Sequence, residues 1–483
     1  MRTTESLFER HGARYRWLAT ATVMIGTMSM VLASTIINVA IPSIRQAFDI
    51  NQVQAQWLVT GFMGAMTLGM LTNAWCVKAF GPRATYIVCM SVFLLASLQG
   101  ALSPDYNWMV LSRVLQGFMA GFIQPLALVV ISEVFPLEQR GRGIGIYGFG
   151  VILGPALGPA LGGLLVDLLS WRAVFFITIP FGLVGLAMAW PFLRSRSGIE
   201  KRPRLDLPGL VLLAATLATL FWGLSIGQWE GWGQSLVWLA TSLGLLTGFV
   251  LRQLYCREPL LDIRVFRSAG FAGSVLVAVT IGASLFAITY LVPLFVQDVQ
   301  GRSPSAAGAL LMPAGLVMAA VFPFSGRLAD RFPAPKLALV GLLLMICGLA
   351  PMLGANQETP MFMLMLWLLI GRIGLGVMMP PVTAGSLRLL EPALLTQGTG
   401  VVNCARQIGG VLGVNLAALM LELSASSDLL DYTDPQAIVA GFQNAFLMLL
   451  LLFLAALYPL WLMHRGTQSV SKSMTAVEVV EPE

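Results

Sequence analysis

The sequence predicts an all-α membrane protein whose helices form two similar halves. Hydrophobic residues make up 57% of the 483 residues and charged residues only 11%, whereas about a quarter of the residues in a soluble domain are charged. Apolar runs of about 18 residues or more recur along the chain, and each is long enough to cross a bilayer as a helix. Several features of the first half also return in the second. Together these observations favour a polytopic membrane protein over a soluble one.

The apolar runs predict fourteen spans, which must be helical because backbone groups in lipid have to be paired within the segment. The spans lie at approximately residues 17–42, 54–77, 84–103, 108–132, 143–166, 172–193, 207–227, 236–252, 269–296, 305–326, 337–355, 360–386, 397–423 and 437–463. The expected organisation is a cytoplasmic N-terminus (1–16), a six-helix bundle (17–193), a cytoplasmic linker (194–206), two inserted helices (207–252), a second six-helix bundle (253–463) and a disordered cytoplasmic tail (464–483).

Basic residues indicate which side of the membrane each loop faces. Of the 29 Lys and Arg residues, six lie within spans or in one set of loops, and the other 23 (29 − 6) lie in the alternate set. The six are Arg45, Arg113, Arg172, Arg302, Arg372 and Arg406. Because cytoplasmic loops carry the excess of Lys and Arg, both termini should be cytoplasmic and the loop 424–437 should face outside. This distribution also argues against nucleic acid as the partner of the basic residues.

Neither a metal site nor a familiar set of catalytic residues is evident. The five cysteines are scattered without metal-ligand spacing, and there are only two histidines. The chain lacks a phosphate-binding loop and a zinc-protease motif. We therefore expect no enzymatic activity and no cofactor.

An internal repeat relates the first and second halves. Three pairs of features keep their order: Pro42 and Pro293 (293 − 42 = 251), Ala74 and Gly326 (326 − 74 = 252), and Arg113 and Arg372 (372 − 113 = 259). Parallel repeats around a central site are typical of alternating-access transporters. The alternative is a coincidence of residues that are common at helix ends.

The fourth span contains a buried arginine. Arg113, Gln116 and Gly117 share one helix face because they lie at positions i, i+3 and i+4. An arginine within a span costs about 2.5–3.5 kcal/mol on insertion scales, so it should face a cavity or a polar partner. We consider Gln116 and Gln124 candidates for lining a substrate cavity. The alternative is a structural arginine whose donors are satisfied by backbone carbonyls.

The fifth span combines regularly spaced glycines with prolines. Glycine recurs every fourth residue from Gly150 to Gly162, which allows a neighbouring helix to approach closely. Pro155 and Pro159 remove backbone donors and bend the helix. We interpret Gly154, Pro155, Gly158 and Pro159 as a conformational hinge; the alternative is a static packing seam.

Two further candidate motifs lie in the second half of the chain. Asp330 and Arg331 end the sequence Ser325–Arg331 in a short cytoplasmic loop, where they are candidates for gating, although an ordinary solvated turn is an equal alternative. In the thirteenth span, Asn403, Arg406 and Gln407 lie on one helix face. Polar groups placed in this way are more plausible as cavity lining than as lipid-facing residues.

These motifs resemble those of the major facilitator superfamily, in particular its fourteen-helix drug:proton antiporter branch, over about residues 15–465. The matching segments are Leu111–Gly117, Gly150–Gly163, Trp171–Pro180, Leu291–Pro313, Gly326–Arg331 and Asn403–Gly410. The resemblance implies two six-helix bundles with two inserted helices, proton-coupled efflux of small amphiphilic molecules such as drugs, and a role for Arg113 in proton coupling. It also implies the bacterial cytoplasmic membrane.

The chain departs from this branch in its first span. Ala33 stands where relatives commonly have an aspartate, although Thr35 and Asn38 remain as candidates for the cavity. By elimination, Glu422 or Asp298 would carry the proton, with Arg113 tuning the relay. The alternative for Glu422 is an interfacial residue that faces water.

The motifs also lead to expectations about substrate charge, partners and alternative functions. A cavity that contains a guanidinium and lacks the first-span acid should favour neutral or anionic amphiphiles over multivalent cations. The expected partners are the lipid bilayer and small-molecule substrates, with a periplasmic adaptor as a further candidate and a monomer as the expected state. The alternative functions are a dedicated exporter of one native metabolite or lipid and a non-transporting membrane receptor with the same fold.

Overall fold

The computed structural model describes residues 4–136, 140–195, 206–226, 232–256, 259–261, 263–390, 394–425 and 435–478, which are helical except for turns and short connections. The helices are α1 (Thr4–His11), α2 (Tyr15–Phe48), α3 (Gln52–Phe80), α4 (Pro82–Ala101), α5 (Tyr106–Val134), α6 (Arg140–Leu168), α7 (Ala173–Phe176), α8 (Thr178–Phe192), α9 (Leu207–Ile226), α10 (Trp232–Tyr255), α11 (Ala269–Leu294), α12 (Pro304–Arg331), α13 (Ala334–Leu349), α14 (Met361–Leu387), α15 (Leu395–Ala425), α16 (Pro435–Ala455) and α17 (Leu457–Glu478).

Each of the fourteen predicted spans corresponds to helix in the structure. Twelve spans found in the described residues are long and apolar enough to cross a membrane. The other two predicted spans correspond to α3, with 29 residues, and α9, with 20 residues. α11 continues through a π-helical turn, Phe295–Val299. The prediction of an all-α polytopic membrane protein is therefore confirmed.

Prolines explain why two spans predicted as single helices are each divided into two helices in the structure. The sixth span breaks after Phe176, and the fourteenth breaks after Ala455. Pro180 and Pro459 each lie four residues beyond those helix ends. A proline lacks the N–H that would bond to the carbonyl four residues earlier, so the helix ends there and a new one begins.

The predicted disordered tail needs a correction. α17 extends to Glu478, so residues 464–478 are helical, whereas residues 479–483 lie outside the described part. No proline follows Pro459 before position 478, and extending an existing helix avoids the unfavourable nucleation step.

The chain divides into two compact units. Unit 1 consists of Met1–Arg252, Cys256–Leu260 and Thr289–Leu316, and unit 2 consists of Gln253–Tyr255, Leu261–Ile288 and Val317–Glu483. Unit 1 thus contains the first nine helices, most of α10, the end of α11 and the start of α12. The predicted linker 194–206 lies mostly outside the described residues.

Glycines determine how closely the helices of unit 1 approach one another. A Cβ at Gly117 of α5 would overlap the carbonyl oxygen of Phe62 in α3, so only glycine permits this crossing. Along α6, a Cβ at Gly154 would lie 3.0 Å from Cγ1 of Val31 in α2. On another side of α6, a Cβ at Gly163 would overlap the carbonyl of Pro304 at the start of α12. α6 therefore packs tightly against two helices at once.

The same device appears within unit 2. Gly341 of α13 and Gly374 of α14 face each other so closely that a Cβ on either would lie 2.5–2.6 Å from the other's carbonyl oxygen. A Cβ at Gly282 of α11 would overlap the backbone of Arg406 in α15. These crossings fix the helices that carry Arg372 and Arg406.

Candidate functional site

Arg113 lies at the centre of a polar cluster in unit 1. Its side chain is 1% exposed. Nε donates to the carbonyl oxygen of Leu58 at 2.9 Å, and Nη1 donates to the carbonyl oxygen of Ala33 at 3.1 Å. The guanidinium carbon lies 4.3 Å from the centre of the Phe62 ring, within the range of a cation–π contact. The close α3–α5 crossing at Gly117 makes these contacts with α3 possible.

A chain of neutral polar groups continues from Arg113. Its Nη1 also donates to Oε1 of Gln116 at 2.8 Å, and Nε2 of Gln116 donates to the Ser97 hydroxyl at 2.8 Å. Thr178, where α8 begins, lies 3.3 Å from the same hydroxyl. Four helices, α2, α3, α4 and α5, and the start of α8 therefore meet through this network.

The partners of Arg113 are all neutral. Two of its bonds end on backbone carbonyls, as expected for the structural alternative, and one ends on an amide. Its Nη2 is buried and has no hydrogen-bond partner among the described residues. A buried donor without an acceptor is uncommon in folded proteins, and the charge is dispersed without being neutralised.

A second polar group fastens Thr289–Leu316 to the rest of unit 1. Nη1 of Arg45 in α2 lies 3.2 Å from Oδ2 of Asp298, and the two side chains are 24% and 30% exposed. Nearby, Nε2 of Gln297 donates to the carbonyl oxygen of Val39 at 3.2 Å. Gln52 of α3 hydrogen-bonds the hydroxyl of Tyr290. We call Arg45, Gln52, Tyr290, Gln297 and Asp298 the clasp.

Asp298 and Arg113 therefore have different partners and are not bonded to each other. Asp298 pairs with Arg45, and Arg113 has carbonyl and amide partners. A further acid of the same region, Asp167 of α6, accepts a hydrogen bond from the backbone N–H of Ser305 at 2.9 Å. Asp298 and Asp167 therefore hold neighbouring segments of unit 1 together.

The remaining cavity candidates of unit 1 occupy different surroundings. Thr35 is buried beside Gly158, and its hydroxyl donates 3.4 Å bonds to carbonyls of its own helix. Asn38 is 1% exposed, and neither its Oδ1 nor its Nδ2 has a hydrogen-bond partner among the described residues. Gln124 is partly exposed on α5. Of these candidates, only Gln116 bonds to Arg113.

In unit 2, α15 brings together two of the three polar residues predicted there. Nη2 of Arg406 donates to Oδ1 of Asn403 at 2.8 Å, and both side chains are half-buried. Gln407 is 5% exposed, and its Nε2 has no described partner. Glu422 follows Arg406 by sixteen residues (422 − 406 = 16), about 24 Å along the helix. These two side chains therefore lie at different depths in the span.

Arg372 of α14 lies beside a small cavity that the sequence did not reveal. The side chain is 7% exposed. The cavity is lined by Arg372, Trp367, Ser284, Met345 and apolar neighbours from α11, α13 and α14. The order of Arg113 and Arg372 in the predicted repeat thus has a structural counterpart, because each is a buried arginine in a glycine-mediated helix crossing.

The hinge candidates of α6 lie in close contacts with neighbouring helices of unit 1. Gly154 and Gly158 pack against α2. The carbonyl of Pro159 lies where a Cβ of Gly308 would be, so the other side of the helix packs against α12. Pro155 is half-buried between these positions.

The gating candidates at the end of α12 are only partly described. Arg331 is exposed at the last residue of α12. The side chain of Asp330 lies outside the described residues.

Sequence reasoning missed several residues of these clusters. Ser97 and Phe62 contact the Arg113 group, but a lone serine or phenylalanine in an apolar span gives no signal of its role. Tyr290 and Gln52 are likewise paired only by tertiary structure. The described residues contain no group of three or more His, Cys, Asp or Glu that could hold a metal ion.

Comparison with known proteins establishes the family. The sequence profile of the Major Facilitator Superfamily matches residues 23–414. An uncharacterised transporter of this superfamily, YhcA from Bacillus subtilis, is 30% identical over 431 residues, covering 88% of this chain and 81% of the relative. The tetracenomycin C resistance and export protein of Streptomyces glaucescens is 30% identical over 407 residues, covering 84% and 76%. The lincomycin resistance protein LmrB of Listeria monocytogenes is 28% identical over 427 residues, covering 86% and 90%.

Solved structures share the fold. A bacterial homologue of the human lysosomal transporter Spinster superposes with a TM-score of 0.65 at 20% identity, covering 94% of this chain and 97% of that one. The xylose transporter XylE from E. coli superposes with a TM-score of 0.62 at 13% identity, covering 92% and 96%. The fold and the family are those of transporters and not of enzymes. The chain therefore belongs to the major facilitator superfamily, and its relatives named for antibiotic resistance are those expected for the drug:proton antiporter branch that its motifs indicate.

Proposed function

We propose that the chain exports small amphiphilic molecules, such as drugs, across the bacterial cytoplasmic membrane in exchange for protons, by alternating access. The printed names of the tetracenomycin C and lincomycin resistance relatives support efflux of such compounds. The observation that carries the proposal is the buried Arg113 network. A charged side chain inside a span is expensive, and such residues mark transport pathways.

The clasp supports a mechanism in which contacts open and close. It is built from one ion pair, one hydrogen bond between two side chains and one hydrogen bond from a side chain to a backbone carbonyl, and such polar contacts can be broken and remade. Exposed or half-exposed ion pairs contribute only about 0–1 kcal/mol, so this contact can be exchanged readily.

Proton coupling in this proposal depends on a carboxylate. Arginine cannot release its proton at physiological pH. Asp298 and Glu422 are therefore the proposed proton carriers. Protonation of Asp298 would remove the negative partner of Arg45 and weaken the clasp, which would link proton binding to opening.

The surroundings follow from the same proposal. Both termini would be cytoplasmic, the energy would come from the proton gradient, and no cofactor would be needed. We propose that the protein acts as a monomer in the lipid bilayer, with a periplasmic adaptor as a candidate partner.

Accumulation of test compounds in efflux-deficient cells tests the function. The panel contains a dication, a monocation, a neutral amphiphile and an anionic amphiphile, and cells carry wild type, Arg113→Ala or no transporter. We expect wild type to lower the accumulation of at least one compound, and a protonophore to abolish the difference. Arg113→Ala should resemble the empty cells.

The outcomes separate the alternatives. Exclusion of a single native metabolite but of no panel compound would favour a dedicated exporter. Exclusion that persists with a protonophore would contradict proton coupling. If no solute moved and an Arg113→Ala variant kept its cellular effect, a receptor would be the better description.

A further inference from the structure

Arg406 carries a charge that no described acid balances. Its guanidinium donates to the neutral Oδ1 of Asn403 at 2.8 Å. Ion pairs between described residues join Arg45 to Asp298, Arg194 to Glu133 and Arg252 to Asp206. Arg406 belongs to none of them, although it lies well inside the apolar span Gly398–Ser424.

A buried donor without an acceptor follows Arg406 in the sequence of α15. Gln407 is 5% exposed, and its Nε2 has no hydrogen-bond partner among the described residues. Leaving a buried donor unpaired costs free energy that a ligand acceptor would recover. A guanidinium has only donors. Together the two side chains offer N–H groups and positive charge, which suit an acceptor with negative charge.

The other buried arginine with neutral partners, Arg113 of unit 1, is less suitable as an anion site. Arg113 also has neutral partners, but it is 1% exposed and covered by Phe62. Arg406 and Asn403 are only half-buried, so a ligand could reach them without first dismantling a network. A cation would meet a guanidinium there with no described carboxylate to offset the repulsion.

We propose that the substrates carry one acidic group, of the carboxylate type, that binds Arg406 with Gln407 as the second donor. The planar guanidinium can hold both oxygens of a carboxylate at once, and the side-chain amide supplies a further N–H. This assignment rests on the proposed export function and specifies its substrates as amphiphilic anions. Asn403 then positions the guanidinium.

Binding to the purified full-length protein tests the site separately from transport. The probes are radiolabelled naphthylacetic acid and naphthylacetamide, which share a ring system and differ in charge at neutral pH. Equilibrium dialysis would compare wild type, Arg406→Gln, Arg406→Lys and the control Arg388→Gln, which alters an exposed arginine of the same unit. Size-exclusion profiles would report whether each variant is folded.

We expect wild type to bind the acid at least about tenfold more tightly than the amide, because a hydrogen bond to a charged group contributes more than one between neutral groups. Arg406→Gln should abolish that preference while leaving amide binding within about threefold of wild type. Arg406→Lys should retain part of the preference, because lysine keeps the charge and loses the planar fork. Arg388→Gln should behave as wild type.

A transport arm distinguishes the two proposals. Everted vesicles with an imposed pH gradient would be tested with the same probes and with a permanent cation. Equal binding of acid and amide by wild type, or a preference that survives in folded Arg406→Gln, would overturn the anion site. Failure of wild type to move any probe, with Arg406-dependent binding intact, would overturn the export function and leave the site standing.

Discussion

At the scale of single residues, Arg113 shows how a charge is tolerated inside an apolar span. Its contacts with Leu58, Ala33 and Gln116 place three acceptors around one guanidinium, and Phe62 covers its face. The acceptors come from three helices, so all three bonds can form only in one relative position of these helices. A shift of α2 or α3 relative to α5 would break at least one of these bonds.

Replacing Arg113 by lysine should therefore impair function although the charge is kept. Lysine offers a compact ammonium and cannot reach the same acceptors in the same directions, and each hydrogen bond to a charged group contributes about 1.5–3 kcal/mol. We expect Arg113→Lys to lower efflux by roughly tenfold or more, measured as accumulation of the exported panel compound at matched expression. Arg388→Lys, at an exposed position, serves as the control. Wild-type efflux by Arg113→Lys would show that the directional contacts are unimportant.

At the scale of helices, α6 is confined between α2 and the start of α12. Its glycine stripe meets Val31 and Thr35 on one side, and its other side meets Pro304 and Gly308. A smooth backbone surface allows two helices to slide or rock without unlocking side chains. The interface is close enough that even one added methyl group would require a displacement.

Gly158→Val should therefore block transport. Its Cβ would overlap the Thr35 hydroxyl, and overpacking of this kind costs about 1–3 kcal/mol. Gly244→Val on α10 is the matched control, because a Cβ there meets no atom within 4 Å. We expect lost efflux and a lowered melting temperature in detergent for Gly158→Val only. Equal effects of the two substitutions would indicate a general intolerance of valine in these helices.

The clasp makes a separate prediction about charge. Arg45→Asp should place two carboxylates together and reduce efflux several-fold, since like charges repel. Asp298→Arg should do the same with two guanidinium groups. The double variant Arg45→Asp/Asp298→Arg should recover most of the activity, measured by the same accumulation assay.

The double variant also tests the proposed proton role of Asp298. The swap moves the carboxylate to position 45 and so keeps an ion pair while changing the location of the titratable group. Recovery of efflux together with its protonophore sensitivity would fit a clasp whose ion pair alone matters. No recovery, with both single variants inactive, would mean that position 298 itself must bear the acid.

At the scale of the whole molecule, the charge pattern predicts the orientation in the membrane. Twenty-three of the 29 basic residues (29 − 6) lie in the loops assigned to the cytoplasm. An even number of spans then places both termini on the same side. Cytoplasmic loops carry an excess of Lys and Arg residues in membrane proteins, so this asymmetry predicts that both termini are cytoplasmic.

Reporter fusions check this orientation. A fluorescent protein fused after Glu483 should fluoresce, and alkaline phosphatase at the same position should be inactive, because that enzyme needs the oxidising periplasm. The reverse pattern is expected for fusions in the loop 424–437. A phosphatase-active C-terminal fusion would invert the assigned topology and, with it, the proposed direction of export.

The amino-acid sequence determined the helical fold, the number of spans and the polar candidates, because long apolar runs and intramembrane charges are local signals. The pairing of Arg406 with Asn403 and the pairing of Arg113 with Gln116 also follow from helical periodicity alone. Helix bounds differed by a few residues, and the helical continuation to Glu478 was missed because polar composition alone does not end a helix that is already formed.

Only the tertiary structure decided which distant residues meet. The contacts of Arg113 with Leu58 and Ala33 join positions 55 and 80 residues apart, and the Arg45–Asp298 pair joins positions 253 residues apart. No helical periodicity relates such positions; the close crossings permitted by glycine do. The sequence therefore supplied the chemistry of each side chain. The packing of the helices decided which charged side chains are paired with an opposite charge and which have only neutral partners.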